Sequence, residues 1–307
     1  MAFRVLVADK LEQAGIDRLQ SAAEVVQDPE LAALGTVDAL VVRSATKVTR
    51  AVIEMGRPAL KVVGRAGVGV DNIDLEAARD LGVTVVNAPL AATNAVAELT
   101  LGLMLSMARH LPQAGAAMRE GRWDKKAYMG TELAGKTLGV FGMGRIGAAL
   151  AQRAAALGMK ILGFDPLIGP EEIRARGAEP VSQDELMGQS DYISLHVPLT
   201  DSTRGMIDSA AISRMKSGVR LVCAARGGVV DESALLEALV SGAVAGAALD
   251  VFDQEPPGLT PLIAHPHLIA TPHLGAQTLE AQVRAAVDIA EEVLAALEGA
   301  PLRWKIV

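Results

Sequence analysis

The sequence predicts an α/β protein made of two Rossmann-like, doubly wound parallel-sheet domains with a cleft between them. Three observations carry that expectation. Short β-branched runs alternate with helical patterns along the chain, which is the pattern of a parallel sheet covered by helices. The stretch GMGRIG joins the apolar run Leu138 to Phe141 to the alanine-rich segment from Arg145 to Leu157 through three spaced glycines, Gly142, Gly144 and Gly147. A length of 307 residues, 50% hydrophobic and 21% charged, suffices for two cores.

In the first α/β unit, strand patterns at Phe3 to Val7, Glu24 to Val26, Ala39 to Val42, Lys61 to Val63 and Val83 to Asn87 are separated by helical segments such as Leu11 to Ala22 and Leu75 to Leu81. The fourth strand enters GRAGVGVDN, where Gly64, Gly67 and Gly69 surround Arg65 and Val68. This lacks the full spacing of a dinucleotide fingerprint and reads as a ligand-facing loop, with a tight turn and a solvated arginine as the other reading. A long helical pattern follows from Asn94 to about Arg119, apolar almost all round at first and with a break expected near His110. Such a helix bridges two domains or packs on a second subunit. The polar stretch 121–135, with Trp123 and Tyr128, is an excursion before the next strand, and a domain boundary is expected near residue 97.

The second unit begins at Lys136, with strand patterns at Leu138 to Phe141, Lys160 to Phe164, Tyr192 to His196, Val219 to Ala224, Val244 to Ala248 and Leu268 to Ala270. A strand that enters a helix through spaced glycines lets a backbone approach a pyrophosphate, whose charge rests on the helix N-terminus. Asp165, 18 residues beyond Gly147, closes the next strand at the spacing of a ribose-binding carboxylate. An internal echo, AARDLGVTVVNAP against AAALGMKILGFDP, ends a helix on Leu-Gly in both units, where glycine caps the helix. Thr278 to Glu298 is a long amphipathic helix capped by Gly299, and its tail is expected to return to the first unit.

Net charge is −7 with dispersed basic residues, which excludes an electrostatic footprint for nucleic acid or an anionic membrane. No apolar segment is long enough to cross a bilayer, no signal-peptide layout is present, and the one cysteine, Cys223, reads as a buried strand thiol; a cytoplasmic location is expected. Polar residues cluster where strands of the second unit end: Arg226, Asp250, Glu255 and His273. Taken singly, Arg226 could bind loop carbonyls, Glu255 could be solvated before Pro256, and His273 could cap a turn. Together they make a carboxylate clamp and an acid/base pair. His265, His267 and His273 lie in a proline-broken loop without cysteine or close carboxylate partners, so no metal site is expected. His110 and His196 read as structural.

The combination GRAGVGVDNIDLEAA, VFGMGRIG with Asp165, CAARGGVVDE, ALDVFDQEPP and TPHLGAQT resembles the D-isomer-specific 2-hydroxyacid dehydrogenases over nearly the whole chain, and VVRSATKVT around Arg43 resembles their phosphoglycerate branch. The resemblance implies NAD as cofactor, a homodimer, a discontinuous substrate domain at 1–97 plus 284–307, and an NAD domain at 98–283. By motif position it implies Arg226, Glu255 and His273 as catalytic residues. Gly142, Gly144, Arg145, Ile146, Gly147, Asp165, Ala224, Asp250, Gly275 and Ala276 then contact the cofactor. Arg43 and Arg65 follow strand ends of the first unit and are expected, with Gly67 and Val68, to face the substrate, two further arginines pointing to a second anionic group on it. Two departures stand out: Leu90-Ala91-Ala92-Thr93 replaces the branch's Gly-Asn-(Ser/Thr), and Gln277 stands where serine is common. Longer members carry a C-terminal regulatory domain, which a chain stopping at Val307 is expected to lack, and with it end-product inhibition through that domain.

The expected reaction is reversible hydride transfer between NAD and C2 of a small D-2-hydroxy acid, with a phosphorylated three-carbon acid, 3-phosphoglycerate, as preferred substrate. A glyoxylate, hydroxypyruvate or branched 2-oxo-acid reductase is the alternative within the class. An NAD-sensing dimeric binding protein is the alternative outside it.

Overall fold

The computed structural model describes residues 3–307, which form two compact units. The first contains the chain up to Thr93 together with Ala276–Val307, and the second is Asn94–Gly275. Among the described residues, no helix is long and apolar enough to cross a membrane.

The first unit opens β1 (Phe3–Val7), α1 (Gln13–Gln20), β2 (Ala23–Gln27), β3 (Ala39–Val42), α2 (Arg50–Gly56), β4 (Val62–Arg65), α3 (Leu75–Asp80) and β5 (Thr84–Asn87). The five strands form one parallel sheet in the order β2-β1-β3-β4-β5, which is the flavodoxin-like doubly wound arrangement. The fourth strand lies one to two residues later than its sequence pattern, because Arg65 pairs in register with Val42 on one side and Asn87 on the other. β-Branched residues buried on both faces explain the run VVG rather than an alternating pattern.

The second unit continues with α4 (Thr93–Arg109), α5 (Leu111–Arg119), β6 (Thr137–Phe141), α6 (Arg145–Ala156), β7 (Lys160–Phe164), α7 (Pro170–Ala175), β8 (Glu179–Pro180) and α8 (Gln183–Gln189). It closes with β9 (Tyr192–Leu195), α9 (Ser209–Ser213), β10 (Val219–Cys223), α10 (Glu232–Ser241), β11 (Val244–Leu249) and β12 (Leu268–Ala270). Its seven strands run parallel in the order β12-β11-β10-β9-β6-β7-β8, with the first strand of the unit, β6, at the switch point, as in a Rossmann sheet. The long helical pattern from Asn94 to Arg119 is two helices, broken at His110 as expected. Pro112 has no N–H to donate to the carbonyl of Ala108, His110 turns to φ 53°, and the Ala108 oxygen accepts from the Thr131 N–H instead. One face of α4, with Leu103, Met104 and Met107, packs on Leu138, Val140 and Leu150 of the second unit's core.

α11 (Leu279–Glu298) returns to the first unit, where Ala285, Ile289, Ala290 and Val293 join the core of Val5, Val7, Val41 and Val86. The tail then runs antiparallel along β5 through the Ile306 N–H to Val85 O bond of 2.8 Å and a Val86–Lys305 bridge. Glu292, buried on α11, fastens the turn into that tail by accepting from the Arg303 and Trp304 N–H groups at 3.0 and 3.1 Å and from the Arg303 guanidinium at 2.6 Å. In both units the echoed Leu-Gly ends its helix on a left-handed glycine, Gly82 at φ 65° and Gly158 at φ 80°.

Candidate active site

In the second unit the carboxyl end of β6 makes the turn GMGRIG. Gly142 has φ 85°, and a Cβ there would lie 2.5 Å from the His196 carbonyl oxygen of the neighbouring strand end. A Cβ on Gly147 would lie 2.1 Å from the Gly142 oxygen, so the turn and the first turn of α6 touch backbone to backbone. Gly144, in contrast, meets nothing within 4 Å and caps α6 without a side-chain hydrogen bond. The N-terminus of α6, with Arg145 and Ile146 in its first turn, therefore offers backbone N–H groups beside open space, which is the cradle that a pyrophosphate needs. Asp165, just after β7, accepts from the Met143 N–H at 3.0 Å and the Leu167 N–H at 2.9 Å, which brings its carboxylate against the same turn. These features fit a bound dinucleotide.

Arg176, which the sequence alone did not single out, braces this turn from the residue that ends α7: it donates to the Met143 carbonyl at 2.6 Å and to Glu172 at 2.8 Å. The Glu172–Arg176 spacing was the available signal, since residues four apart face each other on a helix.

Arg226, Asp250, Glu255 and His273 lie beyond the carboxyl ends of the adjacent strands β10, β11 and β12. His273 Nδ1 and Glu255 Oε2 are 2.8 Å apart, and the other carboxylate oxygen of Glu255 accepts from the Phe252 N–H at 3.1 Å. The imidazole is thus oriented through Nδ1, leaving Nε2 for a reacting group. Asp250 is fully buried, and its carboxylate accepts from Thr271 Oγ1 at 2.6 Å, Leu274 N–H at 2.7 Å and Gly275 N–H at 2.8 Å. The buried carboxylate therefore holds the backbone just after His273 and the Thr271 side chain just before it, while His273 itself sits at φ 52°. Thr271 has no motif of its own in the sequence and is found only by this contact.

Arg226 donates to the Ala225 carbonyl at 2.6 Å. Gly227, next to it, packs so closely on Phe252 that a Cβ would lie 1.9 Å from the Phe252 oxygen, which ties the arginine's loop to the segment leading to Glu255. Ala224 follows the last residue of β10. Cys223, beneath this loop, is buried, and desolvation pushes its thiol up to about 11, so it stays protonated and unreactive at neutral pH. His196 ends its strand one residue past the ladder; its Nε2 contacts Ser194 Oγ at 2.8 Å, and burial lowers the imidazole to about 4, which keeps it neutral. His265 and His267 stand ring to ring at 5.7 Å, whereas His273 is turned to Glu255.

The other residues expected from the sequence to contact a ligand lie in the first unit. Arg43 follows β3, and Arg65 ends β4. Gly67 has φ 147°, and a Cβ there would overlap the Arg65 guanidinium at 1.6 Å from Nη1, so this glycine lets the arginine fold over its own loop. The Val68 carbonyl accepts from Asn87 Nδ2 at 2.6 Å. Ala276 opens the second stretch of this unit, and its carbonyl accepts from Gln282 at 2.6 Å. The altered loop is anchored rather than loose: Ala91 and Ala92 are buried, and Arg284 of α11 donates to the Ala91 carbonyl at 3.0 and 3.2 Å.

Residues 101–275 match the family model described as D-isomer specific 2-hydroxyacid dehydrogenase, NAD binding domain. The chain belongs to the D-isomer-specific 2-hydroxyacid dehydrogenase family. Among curated relatives of that family, the D-3-phosphoglycerate dehydrogenase of Bacillus subtilis is 48% identical over 305 residues, covering 98% of this chain. This chain spans 58% of that relative's length. A glyoxylate reductase from Paecilomyes thermophila superposes with a TM-score of 0.91 at 33% identity, covering 99% of this chain and 98% of that one. A D-lactate dehydrogenase from Aquifex aeolicus, solved with NAD and lactic acid, gives 0.85 at 29% identity over 96% of each chain. The family match lies within the second unit, where the glycine turn and the His273–Glu255 pair are found.

Proposed function

We propose that the protein oxidises D-3-phosphoglycerate to 3-phosphohydroxypyruvate with NAD, reversibly, as the entry to serine synthesis. The observation that carries the dehydrogenase reading is the 2.8 Å His273–Glu255 pair on a loop braced by buried Asp250, within the same unit as the glycine turn. Substrate choice is supported by Arg43 and Arg65 and by the name of the Bacillus subtilis relative.

In the proposed chemistry, Gly142, Gly144, Arg145, Ile146 and Gly147 hold the cofactor's pyrophosphate, Asp165 its ribose, and Ala224, Asp250, Gly275 and Ala276 the nicotinamide end. NAD, when bound, supplies the acceptor for the hydride that leaves C2. Arg226 clamps the substrate carboxylate and polarises the C2 oxygen as it becomes a carbonyl. His273 Nε2 takes the hydroxyl proton, and Glu255 holds the imidazole at Nδ1 and faces the positive charge that forms on the ring. In the reverse direction the same nitrogen returns the proton to the oxygen. Arg43 and Arg65, with the Gly67–Val68 backbone, hold the phosphate. His273→Ala tests the assignment: kcat should fall roughly 10²-fold or more while NADH still binds, and near-normal turnover would remove His273 from the role.

We also propose a homodimer built through the second unit, as the family resemblance implies; Trp123 and Met129, 79% and 82% exposed after α5, are apolar surface that such an interface would cover. Light scattering that returned a monomer would sink this. Cys223, free and buried, accords with a reducing compartment, and we place the enzyme in the cytoplasm.

A further inference from the structure

The loop that carries Arg43 has almost no secondary structure of its own, yet its backbone is tied at both ends by side chains. Asp9, beyond the end of β1, accepts from the Arg43 N–H at 2.5 Å and the Thr46 N–H at 3.3 Å through Oδ2, and from Thr46 Oγ1 at 2.7 Å through Oδ1. Asn72 works on the opposite groups: Nδ2 donates to the Arg43 carbonyl at 2.8 Å and to the Thr46 carbonyl at 2.7 Å. The N–H and the C=O of both Arg43 and Thr46 are therefore all taken by two side chains. β1 and β3 are neighbours in the sheet, which is why a residue just past one strand can hold the loop leaving the other.

Asn72 belongs to the loop that leaves β4 with Arg65. The two arginine-bearing loops are thus stapled to each other, and the Asn72 carbonyl adds a third bond by accepting from the Val48 N–H at 2.8 Å. Farther along, the Arg65 loop is fastened to β5 and the residue after it by Asn87 Nδ2 to the Val68 carbonyl at 2.6 Å and Ala88 N–H to the Gly67 carbonyl at 3.0 Å. The register Val42 to Arg65 places Arg43 one residue beyond the pair, so the two cationic residues leave adjacent strands almost level. Two guanidinium groups on separately mobile loops would lose ordering entropy each time a dianion bound; stapled loops have lost it already.

We propose that Asp9 and Asn72 are positioning residues that hold the Arg43 and Arg65 loops in one frame and thereby set the affinity for the phosphate end of the substrate. This rests on the phosphorylated-substrate reading above. Neither residue touches the substrate; each acts through the backbone of Arg43 and Thr46.

The test compares Asp9→Ala, Asn72→Ala and Asp9→Asn in the 307-residue chain, with Arg43→Ala and Arg65→Ala as references. KM and kcat are measured for 3-phosphoglycerate and for D-glycerate, and deuterium uptake is followed in the peptide spanning 43–48. Asp9→Ala and Asn72→Ala should raise KM for 3-phosphoglycerate about tenfold or more with kcat lowered less than about threefold, leave KM for D-glycerate in place, and speed exchange in that peptide. Asp9→Asn should behave like the unaltered chain, because the amide oxygen accepts both N–H groups while its NH2 donates to Thr46 Oγ1. Equal losses on both acids, or unchanged KM, would overturn the proposal. If Arg43→Ala and Arg65→Ala leave KM for 3-phosphoglycerate unchanged, the substrate reading fails; exchange then decides the staple, and unchanged uptake in Asn72→Ala overturns it too.

Discussion

Replacing Asp250 by asparagine removes one oxygen from a buried group that serves three donors. Asparagine can keep its oxygen toward Thr271 Oγ1 and the Leu274 N–H, at the positions now 2.6 and 2.7 Å away. Its NH2 then faces the buried Gly275 N–H across the present 2.8 Å contact, donor against donor. A charge-assisted hydrogen bond, worth about 1.5 to 3 kcal/mol, is lost and a buried N–H is left unsatisfied at a cost of about 1 to 3 kcal/mol. His273 and Leu274 are exposed, so the loop can relax and bring the two effects down to about 2 to 4 kcal/mol in total. That relaxation displaces His273, and a shift of about 1 Å at a reacting group costs on the order of a hundredfold in rate. Asp250→Asn should therefore lower kcat about a hundredfold, read at the NADH absorbance band, and lower Tm by no more than about 10 °C. Thr271→Val, which deletes one bond to the same carboxylate, should lose kcat several-fold. If Asp250→Asn keeps kcat within about threefold, the carboxylate does not hold the His273 loop for the reaction.

A methyl on Gly147 would lie 2.1 Å from the Gly142 oxygen and force the turn off α6, so Gly147→Ala should weaken NADH binding about tenfold or more, measured by NADH fluorescence; an unchanged Kd would contradict this. With Asp165 as the proposed ribose-binding carboxylate, NAD should be preferred over NADP: a carboxylate 4 Å from a 2′-phosphate charge costs about 4 kcal/mol at an effective dielectric near 20, screening leaves about half, and equal kcat/KM for the two would refute the assignment. His196 binds its proton less well folded, at about 4, than unfolded, at about 6.5, so its contribution is complete above about pH 6.5 and is lost as pH falls through the folded value. The loss approaches about 3 kcal/mol, and urea unfolding at pH 7 and pH 4.5 should show a smaller pH dependence in His196→Gln; an equal dependence would exclude the group.

The sequence exposes the strands because apolar, β-branched runs bounded by turns have few other fates, and GMGRIG because only glycine permits a φ of 85° at Gly142 and the Gly147 contact. Arg226, Glu255 and His273 were legible as residues that end successive strands. Asp250 shows what was not: its three bonds reach Thr271, Leu274 and Gly275, contacts over 20 residues away that no local pattern encodes. The same holds for Asp9 and Asn72, whose partners come from neighbouring strands. β8 was missed because Glu179–Pro180 is a two-residue edge, too short to show a period. The join of α4 and α5 needed Pro112 to be read as a missing donor, not merely as a break near His110.

The substrate proposed for this D-2-hydroxyacid dehydrogenase site is a phosphorylated three-carbon acid. Reduction of 3-phosphohydroxypyruvate, hydroxypyruvate and glyoxylate, followed at the NADH band with one purified preparation, tests it most directly. kcat/KM for 3-phosphohydroxypyruvate should be at least about tenfold above the other two, the value of one charge-assisted contact to the phosphate. Higher kcat/KM for glyoxylate or hydroxypyruvate would contradict the substrate assignment, and no turnover of any of the three would contradict the enzyme itself.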